Sequence, residues 1–151
     1  MMAELCIRQM EVTDIDQVME VERETFFTPW TEDIFYQEIL ENQYAQYFVM
    51  EVDWKIIGYV GLWVVMDDAQ VTNIAIMPKY RGNKLGEKLF QYTMKYAIGI
   101  GVKRLSLEVR VSNKIAQAMY RKFGLVPGGI RKNYYTDNQE DAVVMWVNFN
   151  E

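Results

Sequence analysis

The sequence predicts an α/β protein of the α+β mixed-sheet kind, with helices on the faces of a sheet and elements in the order β-α-α-β-β-β-α-β-α-β-β. Three observations support this fold class. The 151 residues are 50% hydrophobic and 25% charged, which indicates one globular domain over residues 1–151. Short apolar runs bounded by turn residues indicate strands. Other stretches carry apolar residues three and four positions apart, which indicates helices.

The first half of the chain is predicted to form one strand, two helices and an antiparallel meander. The first strand is "ELCIRQM", and Thr13 with Asp16 resembles a capping box that opens a helix ending near Phe26. Pro29 interrupts the chain after that helix, and Thr31 caps a second helix, "TEDIFYQEILEN". Three strands joined by short turns follow, with the sequences "QYFVMEV", "IIGYVGLWVVM" and "AQVTNIAIM".

The second half is predicted to add two helices and three strands. Pro78 ends the meander, and a long amphipathic helix follows "KYRGN". The next strand, "RLSLEVRV", should run parallel to the last meander strand, because a right-handed helical crossover joins them. A short helix, "NKIAQAMYRKF", closes at Gly124. The last two strands, "GGIRKNYY" and "AVVMWVNF", flank the turn "TDNQED".

The composition limits the chemistry open to the chain. There is no histidine, and the single cysteine, Cys6, has no partner for a disulfide or a zinc site. Ser-His and Cys-His nucleophilic centres are therefore excluded, and no metal is expected. Proton transfer must use carboxylate, tyrosine, lysine, cysteine or water.

The net charge and the apolar runs indicate partners and location. A net charge of −5 argues against nucleic-acid binding and leaves a basic peptide or an amine as a natural partner. The longest apolar runs, such as "YVGLWVVM", are too short to span a membrane, and the acidic start lacks the features of a secretory signal. We expect a cytoplasmic protein without membrane contact, as a monomer or weak dimer.

The loop "KYRGNKLGEKL" is a candidate anion site. It lies between a predicted buried strand and a helix, where free backbone N–H groups and the helix dipole favour an anion. Gly82 and Gly86 let the main chain approach a ligand closely. Nearby basic residues add positive charge to an otherwise acidic protein: Lys79, Arg81 and Lys84. The alternative is a solvated helix start with ordinary basic residues.

Glu108 and Tyr120 are candidates for a base and an acid. Glu108 lies in "RLSLEVRV", where strand alternation places it on a polar face with the neighbouring arginines. Parallel strands are usually covered on both faces, so a polar stripe on an interior strand suggests a cleft. Each residue also has an ordinary interpretation. Glu108 would be a solvent-facing carboxylate paired to an arginine, and Tyr120 a half-buried aromatic with a solvated hydroxyl.

Together these segments resemble a known family. The strand "VTNIAIMPKY", the loop "RGNKLG" in place of Q/R-x-x-G-x-G/A, and the glutamate strand followed by the Asn-to-Tyr helix are similar to the GCN5-related N-acetyltransferases (GNAT). The match narrows to the RimI-type ribosomal-protein-alanine N-acetyltransferases over nearly the whole chain. The segments that carry it occur in the expected order: "FFTPW", "NIAI", "LEVRVSN", "AMYRKFG", "RKNYY" and "EDAVVM".

The resemblance implies a GNAT acyl-CoA N-acyltransferase fold and two substrates. Acetyl-CoA is the donor, and the acceptor is the N-terminal alanine amine in the tail of a small-subunit ribosomal protein. A β-strand edge would hydrogen-bond the pantetheine arm and polarise the thioester carbonyl through an amide: Ile74, Ala75 and Ile76. The loop would hold the pyrophosphate: Arg81, Gly82, Asn83, Lys84, Leu85 and Gly86. Asn113 would contact the coenzyme, or serve as a plain N-cap, or both.

The resemblance also implies roles in the reaction. Glu108 is the general base and Tyr120 the general acid, with direct attack in a ternary complex and no metal. The expected peptide groove is lined by three aromatic residues, for which core packing is an equal alternative: Trp30, Tyr134 and Tyr135. The acids of the final turn would attract a basic tail or simply be solvated: Asp137, Glu140 and Asp141.

One position departs from the family pattern. Lys84 stands where the loop motif has its first glycine, and a side chain there crowds the pyrophosphate if the position needs an unusual backbone angle. An outward-pointing lysine would instead add a cation and leave its amide free to bind.

Two other functions stay open from the sequence. The chain could be a GNAT enzyme that acetylates a small-molecule amine, other protein N-termini or lysines. It could also be a non-catalytic acetyl-CoA-binding or ribosome-assembly module, although the presence of both Glu108 and Tyr120 argues against that function.

Overall fold

The structure is a computed structural model that describes residues 4–26 and 28–149. Over these ranges the strands are β1 (Leu5–Gln9), β2 (Ala45–Val52), β3 (Lys55–Val65), β4 (Asp68–Ile76), β5 (Arg104–Arg110), β6 (Val126–Arg131) and β7 (Ala142–Asn148). The helices are α1 (Ile15–Thr25), α2 (Glu32–Leu40), α3 (Leu85–Gly99) and α4 (Lys114–Lys122). Short 3₁₀ turns, Val12–Asp14 and Pro78–Tyr80, precede α1 and the loop before α3.

These strands form one mixed sheet in the order β1-β2-β3-β4-β5-β7-β6. The predicted fold class and element order are confirmed, including the antiparallel meander β2–β3–β4 and the parallel pairing of β4 with β5. The Thr31 side chain accepts a hydrogen bond from the Ile34 N–H at 3.3 Å, so the predicted cap of α2 is also confirmed.

The parallel strands β4 and β5 separate soon after they meet. Their pairing covers only Asp68–Gln70 against Arg104–Ser106. Beyond that point β4 remains paired with β3 as far as Ile76, and β5 remains paired with β7 as far as Arg110. The two halves of the sheet therefore diverge, and a cleft opens between the carboxyl ends of its two central strands.

Two apolar cores cover the two faces of the sheet. On one face α3 and α4 pack against β4 and β5, with Leu89, Phe90 and Tyr120 among the buried residues. On the other face α1 and α2 pack against β2, β3 and β4, with Val18 and Phe35 buried there. We call these the α3–α4 face and the α1–α2 face.

A bulge in β4 changes which side chains face each core. Gly61 pairs with Asn73 and Leu62 pairs with Val71, so Thr72 is an extra residue in the ladder. Val71 packs on the α3–α4 face, whereas Asn73 hydrogen-bonds on the α1–α2 face. The bulge therefore supplies a polar side chain to the α1–α2 wall of the cleft.

Two local expectations are wrong in detail. Thr13 does not cap α1; it lies within the first 3₁₀ turn, and the Asp14 carboxylate accepts the Glu11 N–H at 2.7 Å and binds Arg8. The sixth strand ends at Arg131 and not at the predicted Tyr135. Among the helices of the described ranges, none is long and apolar enough to cross a membrane.

Candidate active site

The cleft between the diverging strands has a volume of about 630 Å³. Its walls come from β4, β5, parts of the α1–α2 connection, the start of α4 and the loop after β6. Seven of the predicted site residues line it: Trp30, Ile74, Glu108, Asn113, Tyr120, Tyr134 and Tyr135. Ala75, Ile76 and the loop of residues 81–86 do not line it, because they continue along the chain beyond the β4 wall.

Glu108 enters the cleft from the α1–α2 face. Its strand neighbours Leu107 and Val109 are buried on the opposite face. Gln70 Nε2 donates to Glu108 Oε1 at 3.0 Å, and Arg131 Nε lies 3.2 Å from Glu108 Oε2. The Glu108 side chain is only 9% exposed, whereas that of Arg131 is 59% exposed. The carboxylate therefore lines the cleft. It is also paired to an arginine, as the ordinary interpretation expected, but it does not face solvent.

Tyr120 reaches the cleft from the α3–α4 face. The residue is buried, and its ring packs on Phe90 with centroids 4.9 Å apart. Burial, followed by the nearby phenol of Tyr135, raises the pKa of Tyr120 well above its usual range. The hydroxyl therefore stays protonated, as a proton donor must, throughout the physiological range.

Gln117 and Asn113 fix the position of α4, and hence of Tyr120. The buried Gln117 side chain donates from Nε2 to the carbonyls of Arg110 (2.9 Å) and Val111 (3.0 Å), which ties the helix to the end of β5. Asn113 Oδ1 accepts the Ala116 N–H at 3.1 Å, so the N-cap interpretation of Asn113 holds. Asn113 also lines the cleft, so it could make a second contact with a ligand there.

The end of β4 presents an unpaired edge to the cleft. Along residues 71–76 one edge pairs with β3, and the other has no strand partner within the described ranges once β5 has diverged. The side chains of Ala75 and Ile76 are buried in the two different cores. Any contact from these two residues to a ligand therefore comes from the backbone. The Ile76 carbonyl already accepts a hydrogen bond from Arg81, and the groups left free along this edge suit an extended chain with amides.

The loop of residues 81–86 has the backbone of an anion site. Gly82 and Lys84 both have left-handed φ angles, +85° and +60°. The Lys88 N–H bonds back to the Lys84 carbonyl at 3.2 Å, so the amides of the first turn of α3 have no intrahelical partner. Arg81 Nε donates to the Ile76 carbonyl at 3.1 Å and joins the loop to the end of β4. Lys84 stands where the family motif has a glycine, and its backbone does adopt the left-handed angle that favours glycine.

The loop of residues 132–141 brings Tyr134 and Tyr135 to the mouth of the cleft. Their rings stack edge to face, with centroids 5.1 Å apart, and the Arg110 guanidinium lies 4.0 Å from the Tyr135 ring centroid. Burial raises the pKa of Tyr135 to about 12. On the opposite wall the Trp30 ring packs on the Phe35 ring, with centroids 5.3 Å apart.

The acids of this loop bind within the chain. Asp137 and Glu140 both pair with Arg110, at 2.7 Å and 3.2 Å. Hydrogen bonds from Ser112, followed by that from Arg110, lower the pKa of Glu140 to about 2. Asp141 Oδ1 accepts the Asn133 N–H at 2.8 Å. These carboxylates hold the loop in place. The sequence had led us to expect acids that are solvated or that attract a basic peptide.

A chain of hydrogen-bonded, buried polar side chains on the α1–α2 wall was not predicted from the sequence. The Glu22 carboxylate accepts the Tyr59 O–H and, at 2.8 Å, the Trp30 N–H. Asn73 Nδ2 donates to the Tyr59 oxygen at 3.2 Å. Desolvation raises the pKa of Glu22. One signal was available, because Glu22 falls on the same helical face as the buried Val18 and therefore could not be an ordinary solvated acid.

Comparisons with known proteins agree on one family. The model of the Acetyltransferase (GNAT) family matches residues 15–125. A Bacillus subtilis (strain 168) protein, provisionally named a ribosomal protein bS18-alanine N-acetyltransferase, is 57% identical over all of both chains. The Escherichia coli (strain K12) ribosomal protein bS18-alanine N-acetyltransferase is 35% identical over 92% of this chain and 94% of its own. The crystal structure of the ribosomal-protein-S18-alanine N-acetyltransferase from Escherichia coli has a TM-score of 0.91 and 31% identity, covering 98% of this chain and 96% of that one.

Proposed function

Because this chain belongs to the GNAT family of acetyltransferases, we propose that it transfers the acetyl group of acetyl-CoA to the N-terminal alanine amine of a small-subunit ribosomal protein. It is an acetyl-CoA-dependent N-acetyltransferase. The proposed acceptor follows from the relatives named for bS18 alanine. One observation carries the chemistry: Glu108 and Tyr120 line the same cleft but reach it from opposite faces of the sheet.

The residues of the splayed strand and the loop fit the coenzyme. The unpaired backbone edge of Ile74–Ile76 would hold the pantetheine arm, and the free amides and basic side chains of residues 81–86 would hold the pyrophosphate. The Asn113 side chain lies where the arm would pass the start of α4. When bound, acetyl-CoA supplies an acetyl group already activated as a thioester. A backbone N–H of the β4 edge would then polarise the thioester carbonyl.

In this proposal Glu108 is the general base. An α-amine has a pKa near 7.7–8.0, so part of it is already neutral at pH 7 and only one proton must be removed, directly or through water. Gln70 holds one oxygen of the Glu108 carboxylate through a hydrogen bond at 3.0 Å, which fixes the plane of the group on the α1–α2 wall. The acceptor would therefore approach from the α1–α2 face.

Tyr120 is the proposed general acid. Its hydroxyl is kept protonated by burial, and its ring lies on the α3–α4 face together with the coenzyme loop and α3. A proton from this hydroxyl would neutralise the departing thiolate as the amide bond forms. Base and acid thus serve opposite ends of one direct transfer, and neither side chain has to cross the cleft.

The acceptor would lie between Trp30 on one wall and Tyr134 and Tyr135 on the other. These rings offer broad apolar contact with polar tips, which suits a short extended peptide. The net charge of −5 favours the approach of a basic tail. Asp137 and Glu140 of the neighbouring loop are already bound to Arg110, and Asp141 to the Asn133 N–H, so attraction would come from the overall field and not from that cluster.

A peptide panel analysed by mass spectrometry tests this proposal. Peptides with the same basic sequence but Ala, Ser or Met at the first position are incubated with enzyme and acetyl-CoA, alongside an N-terminally blocked peptide with internal lysines and a polyamine. We expect acetylation of the α-amine, fastest for the Ala-starting peptide. Acetylation of the lysines or the polyamine alone would favour the alternative substrates, and coenzyme binding without turnover on any amine would favour a non-catalytic module.

A further inference from the structure

The two oxygens of Glu108 have partners of different kinds. The contact of Oε1 with Gln70 Nε2 is a hydrogen bond at 3.0 Å, made next to the last residues at which β4 and β5 still pair. The contact of Oε2 with Arg131 is an ion pair at 3.2 Å that lacks hydrogen-bond geometry. One oxygen is therefore held firmly, and the other is covered by a loosely placed cation.

The arginine that covers Oε2 is itself weakly held. The Arg131 side chain is 59% exposed and belongs to β6, the edge strand of the sheet. Its guanidinium lies 5.7 Å from the Tyr134 ring centroid. Arg110 offers a contrast at the same cleft, because it donates hydrogen bonds to Asp137, Asn138 and Glu140 and lies 4.0 Å from a tyrosine ring. Arg110 is fixed, whereas Arg131 can leave its carboxylate at little cost.

An α-amine that enters this cleft carries the same charge as Arg131. Its pKa of about 7.7–8.0 means that the ammonium form predominates at pH 7. Glu108 is nearly buried, and a buried carboxylate without a cation is poorly solvated. An exchange of one cation for another keeps the charge of Glu108 compensated throughout. Direct binding of the ammonium to a covered carboxylate requires such an exchange.

We propose that the acceptor's α-ammonium binds at Glu108 Oε2 by displacing the Arg131 guanidinium, which swings into solvent. This inference rests on the proposed function and adds where the amine binds in its ammonium form. The bound ammonium releases one proton to solvent, and the neutral amine then attacks and gives its second proton to Glu108. Arg131 is then a built-in competitor of the acceptor. It keeps the carboxylate compensated in the free enzyme and gives way to any cationic amine that fits the groove.

Arg131→Met and Lys132→Met test the proposal as a matched pair. Both changes remove one positive charge from neighbouring positions of the chain, so long-range attraction of a basic peptide increases by a similar amount in the two variants. Only Arg131→Met uncovers Glu108. We expect its KM for the acceptor to fall about two- to fivefold below that of Lys132→Met, the range of an exposed ion pair, with the KM for acetyl-CoA unchanged.

The acceptor for this comparison is the amine that the wild-type enzyme turns over best in the peptide panel. The proposed acceptor and the proposed exchange of cations at Glu108 are then tested independently of each other. Turnover of a polyamine or lysine instead of the peptide would overturn the proposed acceptor, yet the order of the two variants would still test the exchange. An acceptor KM for Arg131→Met equal to or above that of Lys132→Met would overturn the exchange. As a second readout, millimolar methylguanidinium should compete with the acceptor more strongly in Arg131→Met than in wild type, and an equal effect would contradict it.

Discussion

Two positions in the loop of residues 81–86, the proposed pyrophosphate site, differ in their backbone angles. Lys84 adopts φ +60°, a left-handed angle that costs a non-glycine residue on the order of 1 kcal/mol. Gly86, in contrast, lies within α3 at an ordinary helical angle. A Cβ at Gly86 would lie 3.9 Å from Ile76 and from Met119, which is normal contact. Packing within the chain therefore does not require glycine at position 86.

The first prediction follows from that free space. Gly86→Ala should add a methyl group in the first turn of α3, within the loop proposed to hold the pyrophosphate, and raise the KM for acetyl-CoA about tenfold. Gly99→Ala, at the other end of the same helix, has open space around it and should leave that KM unchanged. Both changes favour the helix, so the free energy of unfolding should stay equal or rise by up to about 1 kcal/mol. An unaltered KM for Gly86→Ala would place the coenzyme elsewhere.

Tyr120 supports a prediction about pH. Burial raises the pKa of this phenol above its ordinary value of about 10. An acid must be protonated to act, and a raised pKa keeps it protonated to higher pH. We therefore expect kcat on a peptide acceptor to show no fall that is due to Tyr120 below about pH 10, and Tyr120→Phe to lower kcat on the order of a hundredfold. A decline below pH 10 that disappears in Tyr120→Phe would contradict this account.

Among whole elements, the loop of residues 132–141 is held to the cleft by an arginine from β5, in addition to the bonds that Glu140 and Asp141 make to backbone N–H groups. Arg110 pairs with Asp137 and Glu140 and stacks on Tyr135, so it holds the loop against the mouth of the cleft. Arg110→Met should release the loop and both of its tyrosines. We expect a rise of about tenfold in the KM for a peptide acceptor, little change in the KM for acetyl-CoA, and faster limited proteolysis between residues 132 and 141.

Arg104→Met is the control for that change. Arg104 lies on the same strand, but its guanidinium stacks on Trp146 at 4.2 Å, at the end where β4 and β5 are still paired. Arg104→Met removes the same charge as Arg110→Met, but Arg104 stacks on Trp146 and not on the loop. Equal effects of the two variants on the KM for the peptide would mean that the loop does not form the acceptor groove.

The elements show which parts of the fold local sequence can predict. The strand and helix order was predicted because each segment carries its own periodicity, and Thr31 caps α2 as expected. The last part of "GGIRKNYY" looked like a strand, yet β6 ends at Arg131, because Asp141 and Arg110 hold the following loop away from the ladder. The bulge at Thr72 also left no local signal, since it depends on how β3 and β4 pair.

The candidate site was predictable to a similar degree. Glu108 and Tyr120 stood out because a carboxylate in an interior strand and a phenol on the next helix are conspicuous in a chain without histidine. The residues that support them could not be predicted. Gln70 bonds to a residue 38 positions away along the chain, and Gln117 bonds to backbone carbonyls six and seven positions away. Their roles depend on which segments meet in the folded sheet.

At the scale of the whole molecule, the function depends on a sheet that is continuous at one end and split at the other. The short pairing of β4 with β5 keeps the two halves together, and their divergence gives the cleft an α1–α2 wall with Glu108 and an α3–α4 wall with Tyr120. Loss of the base should therefore stop the transfer without disturbing coenzyme binding on the other side.

Kinetics and calorimetry on Glu108→Gln test this separation of base and coenzyme site. Glu87→Gln is the control, because it removes the same charge from α3, where Glu87 is 25% exposed and pairs with Lys122 away from the residues that line the cleft. We predict that Glu108→Gln lowers kcat on an Ala-starting peptide about 10²–10⁴-fold and leaves the Kd for acetyl-CoA unchanged, while Glu87→Gln retains wild-type turnover. A kcat for Glu108→Gln within a few fold of wild type would contradict the account. A loss of acetyl-CoA binding in parallel with the loss of turnover would contradict it as well.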